Sequence, residues 1–171
     1  SSAASDVYKR QVRADALKAL RRRDPAQALG LARGMLRPRG VEEYGLTTAA
    51  LEVIGKEGGA ADLGLLLTVL PERLWSRAMR AAAVLVNNLP EGSARDRAAE
   101  RAARFAEEAL TDTDVRTRSA AATALGRLGS ESSIPHLEAL RRVESVDWIA
   151  SAATKSIEHI RAAQAPADIA D

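Results

Sequence analysis

The sequence predicts an all-α chain, an α-α superhelix of about four helical hairpins behind one leading helix, and three observations carry that expectation. First, one helical face is written twice. DTDVRTRSAAATALGRLGS and ESVDWIASAATKSIEHIR superpose on Leu125 and Ile157, with a small residue four positions earlier (Ala121, Ala153), another one position earlier (Ala124, Ser156) and an aliphatic three later (Leu128, Ile160). Second, the shorter amphipathic segment SSIPHLEALRRV lies between the two copies. The recurring unit is therefore a helical hairpin, which cannot bury its apolar side alone and must stack on a neighbour. Third, hydrophobic residues make up 46% of the chain but aromatics only 3%. That composition suits closely packed Ala/Leu helices and not a β-sandwich, which needs more β-branched and aromatic side chains.

Taken in order, the helices are punctuated as a stack requires. VRADALKALRRR repeats the face at Val12, Ala16, Ala19 and Leu20. Asp24-Pro25 restarts the chain: a carboxylate that can accept from the first turn precedes the one residue whose missing N–H costs nothing there. Pro25 to Leu36 is expected to turn Leu29, Ala32 and Leu36 inward, and Pro38-Arg39-Gly40 to end the helix. Val41 to Lys56 is the second copy, anchored on Leu51, and Gly58-Gly59 closes it. Ala60 to Leu70 is the most apolar helix and Pro71 its stop. Glu72 to Leu89 is the third copy, anchored on Val86 with Leu85 as an alternative. Pro90-Glu91-Gly92 is a turn, and Ser93 opens a helix running to Leu110 with one apolar and one charged side. The anchors Leu20, Leu51, Val86, Leu125 and Ile157 are spaced by 31, 35, 39 and 32 residues. Helix pairs tolerate such drift better than a propeller or ankyrin array does.

Residues 12–164 are accordingly read as the solenoid and 165–171, Ala/Pro-rich and acidic, as a flexible tail. Residues 1–11, SSAASDVYKRQ, fit no copy of the repeat. They resemble a peptide obtained when a sequencing adapter is translated at the edge of an assembled contig, so they are expected to be an artefact or disordered, with the natural protein extending upstream. The absence of cysteine excludes disulfide staples and thiolate metal sites. No apolar run approaches the roughly 18 residues of a membrane span, and a cytoplasmic location is expected. The formal charge is +2, too small to argue for nucleic acid or an anionic membrane. It is unevenly spread, with 12 basic and 8 acidic residues in 12–80 against 11 and 14 in 81–171.

Little in the chain points to catalysis. His136 and His159 are the only histidines, and neither stands in a ligand spacing. No nucleophile elbow or phosphate loop occurs. Glu42/Glu43 and Glu107/Glu108 are sequence neighbours that splay across a helix, where acid/base chemistry needs convergence. Arg21-Arg22-Arg23 sits where a helix C-terminus attracts cations without any ligand. Trp75 and Trp148 open second helices, either packing over the preceding hairpin or serving as binding anchors. Candidate partner-binding residues are Trp75, Arg77, Arg80, Arg116, Arg118 and Trp148; no catalytic, cofactor or metal residue is assigned.

The run DVRTRSAAATALGRLGSESSIPHLEAL resembles the HEAT repeat, in the short bacterial variety also found in phycobilisome lyase-type proteins. Asp114, Arg118, Ala121, Ala124, Leu125, Gly126 and Gly129 fill the pattern, and Ile134-Pro135 opens the next first helix. Arg13 matches in the leading copy, whereas Tyr44, Met79 and Ala150 depart from the Arg position seven before the anchor. The resemblance implies a HEAT/ARM-like solenoid and a non-catalytic scaffold that binds a protein along its inner surface; the adapter-like residues 1–11 add the expectation that it is the C-terminal part of a larger bacterial protein. Two alternatives stay open. One is the accessory C-terminal array of an enzyme, since the closing helices look similar to those ending some gluzincin zinc aminopeptidases. The weaker one is a HEAT-like DNA-binding or DNA-repair protein, for which the chain is poor in aromatics; a phycobilin lyase is disfavoured by the lack of cysteine.

Overall fold

A computed structural model describes residues 2–36, 44–68 and 74–164, and among these there is no strand. The helices are α1 (Ser2–Arg23), α2 (Pro25–Met35), α3 (Tyr44–Glu57), α4 (Leu63–Thr68), α5 (Trp75–Asn88), α6 (Ser93–Ala109), α7 (Val115–Leu128), α8 (Ile134–Val143) and α9 (Asp147–Gln164). A 3-10 turn leads into α4 (Ala60–Asp62) and another into α8 (Glu131–Ser133). This is the expected all-α order: one leading helix, the packed pairs α2/α3, α4/α5 and α8/α9, and α6 and α7 between the last two in sequence. Helix α1 runs from residue 2, through the segment set apart in the sequence. The tail 165–171, the turn Pro38-Arg39-Gly40 and the stop Pro71 lie outside the described residues.

The chain forms two compact units, residues 1–98 and 99–171. In the first, α3 is central: α1, α2 and α5 all pack on it, while α4 packs on α5. Its core holds Leu17, Leu36, Ile54, Leu63, Leu66, Met79 and Leu85, each 3% exposed or less. In the second, α9 packs on both α7 and α8, with Leu125, Leu137 and Ile149 fully enclosed.

Helix starts follow the local chemistry. Asp24 caps α2 by accepting from the Gln27 N–H at 2.9 Å, with Pro25 in the first turn. Asp114 caps α7, accepting at 2.9 Å from both the backbone N–H and the hydroxyl of Thr117. Those hydrogen bonds, the hydroxyl first, hold the Asp114 carboxyl below its ordinary range against the opposing effect of burial. Gly92 has φ +136, the left-handed geometry that the Pro90-Glu91-Gly92 turn requires.

Helix ends correct the repeat register. The N–H closing each of these helices bonds back to Leu20 (from Asp24, 2.7 Å), Ile54 (from Gly58, 2.8 Å), Leu85 and Val86 alike (from Leu89, 3.2 Å to each) and Leu125 (from Gly129, 2.7 Å). The equivalent residues are therefore Leu20, Ile54 and Leu125, with the closing bond of α5 shared by Leu85 and Val86, and Leu51 is displaced from the anchor by three positions. Gly55 and Gly126 then become equivalent, each one residue after its anchor. A Cβ on Gly55 would lie 3.0 Å from the Ala81 carbonyl oxygen, and one on Gly126 would lie 2.6 Å from the Ser156 hydroxyl. Ala81 stands four before Leu85, so Ser156 points to Ile160, in place of Ile157, as the matching residue of α9. Leu51, Val86 and Ile157 are nonetheless buried at 2%, 1% and 2%. Leu20 is only half-buried, and α1 turns Ala14 and Leu17 inward instead. In α2 the inward set is Ala28, Ala32 and Leu36, with Leu29 half-buried.

Candidate functional site

The second helices α3 and α5 leave a polar stripe uncovered. On α3 it is Thr48, Glu52 and Lys56, spaced by four. On α5 the exposed Arg80 and the half-buried Arg77 continue it, with Val84 beside them. Because Gly55 lets α3 approach the Ala81 backbone closely, these stripes meet in a groove of 250 Å³ whose apolar lining is Leu51, Ala81 and Val84. Lys56 Nζ donates to Glu52 Oε1 at 2.9 Å. That bond is the main cause holding the Glu52 carboxyl below its ordinary range; the charges of Lys56, Lys18 and Arg21 add to it, and partial burial opposes it. Arg21 reaches Glu57 Oε1 at 2.8 Å and fastens α1 to the end of α3. The groove lining thus carries three cations, Lys56, Arg77 and Arg80, against one carboxylate.

Of the residues singled out in the sequence, Arg77 and Arg80 are brought together here. Trp75 is the half-buried first residue of α5. In the second unit, Arg116 is exposed in the first turn of α7, and Trp148, 51% exposed, occupies the first turn of α9, which packs on α7. Arg118 faces elsewhere. Its Nε donates to Glu144 Oε2 at 2.7 Å and its Nη2 to Glu144 Oε1 at 3.2 Å, while Nη1 donates to the carbonyls of Asp112 (2.9 Å) and Thr113 (3.1 Å). The two side chains are 17% and 4% exposed. The guanidinium, helped by the N–H groups of Val146 and Ser145, keeps the Glu144 carboxyl below its ordinary range despite burial.

Sequence reasoning missed Glu52 and Lys56 as groove residues, although their i,i+4 spacing on the outer stripe was a usable signal. It also missed a second ion pair between elements, its carboxylate buried and its guanidinium about half in water. Arg33 on α2 donates to both oxygens of Asp62, at 2.7 and 2.9 Å, and Asp62 also accepts from the Gly59 N–H at 2.9 Å. The Arg33 hydrogen bond is the largest cause lowering the Asp62 pKa, burial opposing it.

Among the described residues no group of three His, Cys, Asp or Glu side chains is placed to hold a metal, and no helix is long and apolar enough to cross a membrane. His136 is largely exposed, its Nδ1 3.8 Å from Glu107 Oε1, and His159 is exposed. Compared with known proteins, residues 76–158, from the start of α5 into α9, match the family described as HEAT repeats. No curated protein and no solved structure matches the chain.

Proposed function

Because residues 76–158 belong to the HEAT-repeat family, we propose that the chain is a non-catalytic interaction module whose second helices take a protein partner along their outer stripes. The α3/α5 groove is the observation that carries this reading. Two arginines and a lysine stand over an apolar lining of Leu51, Ala81 and Val84, which fits an acidic amphipathic segment, aliphatic side chains inward and carboxylates against the guanidinium groups. Arg116 and Trp148, both exposed in the first turns of α7 and α9, are of the residue types enriched where binding energy concentrates.

Selection of displayed peptides against the whole chain tests this. Binders should be acidic and leucine-containing, and Arg80→Glu should weaken them about tenfold, the size of a lost charge-assisted contact replaced by repulsion. A selection whose binders are indifferent to Arg80→Glu and Arg77→Glu would remove the groove from the interaction surface.

A further inference from the structure

The second unit carries another groove, of opposite sign, beside the connectors that join α6 to α7 and α8 to α9. It encloses 540 Å³, within the roughly 300–1,000 Å³ of sites that engulf a ligand or a few side chains. Leu110 and Leu140 floor it at 4% and 5% exposure, and Val143 stands on its rim with 82% of its surface in water. Helix α8 contributes His136, Ala139, Leu140 and Val143, one stripe at i, i+3, i+4 and i+7. The basic Arg142 of the same helix lies on a different stripe, 3.9 Å from Glu138, which also receives Arg161 at 3.3 Å.

The polar wall is acidic. Glu107, Asp112 and Glu144 face a single cation, Arg118, and that cation is already bound in two places by Glu144. Glu107 Oε1 accepts from the Ser133 hydroxyl at 2.7 Å and lies 3.8 Å from His136 Nδ1; Asp112 Oδ1 accepts from the Asp114 N–H at 2.7 Å. The groove therefore offers an apolar floor and rim under a carboxylate surplus. An anion or a phosphate backbone would be repelled, whereas an aliphatic side chain flanked by a lysine or arginine is matched on both counts.

We propose that this groove docks a basic protein segment, an aliphatic side chain seated on Leu140 and Val143 and a neighbouring cation against Glu107 and Asp112. It differs from the α3/α5 groove in unit, helices and charge, so the two assignments stand or fall separately.

The probe is a fluorescein-labelled helical peptide of repeated Leu-Lys-Lys-Leu, set against a twin with Glu for every Lys. Both are titrated into the whole chain at about 0.1 M salt, where only near contacts escape screening. The lysine peptide should bind saturably and its twin at least about tenfold more weakly. Val143→Ser, which removes exposed apolar surface and leaves thermal unfolding unchanged, should weaken binding roughly fivefold, as should the double variant Glu107→Gln/Asp112→Asn. Arg22→Ala, at an exposed position in the other unit and outside both grooves, should leave it intact. Absence of saturable binding, equal binding of the acidic twin, or indifference to both Val143→Ser and the double variant would overturn the proposal.

Discussion

Replacing Arg118 by methionine keeps an apolar stem but deletes every guanidinium bond. Glu144, 4% exposed, is then left with a carboxylate held by the Val146 N–H at 3.0 Å and by the Ser145 N–H, with no cation beside it. Breaking a fully buried pair from one side costs about 3–5 kcal/mol. Arg118 keeps 17% of its side chain in water, so the solvated share of the interaction is discounted, and about 2–4 kcal/mol is expected. For a chain of this length that lowers the melting temperature by about 5–15 °C. Adding Glu144→Gln should restore at least about 1 kcal/mol, because the orphaned charge is then gone. The pH dependence has a definite sign. A carboxyl held low in the folded state contributes stability above its unfolded pKa and loses that contribution as pH falls through the folded value. Glu144 is lowered, so the gap between wild type and Arg118→Met should be full at neutral pH and shrink below about pH 4. Thermal unfolding by circular dichroism at pH 7 and at pH 3 measures both. A melting temperature within about 2 °C of wild type at pH 7, or a gap unchanged at pH 3, would refute the reasoning.

Three further outcomes follow from the packing. Gly126→Ala places a Cβ 2.6 Å from the Ser156 hydroxyl and 3.0 Å from the Ser156 Cα; despite the better helix propensity of alanine it should destabilise by about 1–3 kcal/mol, and Ser156→Gly should partly rescue it in urea titrations. Leu125→Ala, at a fully enclosed position, should cost about 2–5 kcal/mol, and unchanged thermal unfolding would remove Leu125 from the core. Trp148→Ala, at a 51% exposed site, should stay within about 0.5 kcal/mol of wild type, so that any loss of partner binding can be assigned to the contact itself.

The helical order, the hairpin pairing and most of the core were legible because apolar periodicity and Pro/Gly punctuation are local signals. The register was less so, for a geometric reason. Residues three apart on a helix share a face, so Leu51 and Ile54, or Ile157 and Ile160, are equally buried, and burial alone cannot say which of each pair stands at the repeat position. The helix ends and the close approaches at Gly55 and Gly126 decide, and these depend on where the chain turns and which helix packs there. Leu20 fails differently: its copy is right by the closing hydrogen bond, but α1 turns Ala14 and Leu17 inward, leaving Leu20 half-buried. The ion pair of Arg118 was not legible because its acceptor, Glu144, lies 26 positions away in the next connector, a separation that no helical spacing encodes. Arg77 and Arg80 were legible as neighbours on one helix; the groove they line needed α3 beside them.

The Arg118 side chain also ties two connectors to one point. It holds the carbonyls of Asp112 and Thr113 on one side and, through Glu144, the start of the link to α9 on the other. Surface connectors are where proteases ordinarily nick a folded chain. Here neither can peel away without releasing the other, so amide exchange should report a single opening event for both, and trypsin should find Arg116 resistant until that event occurs.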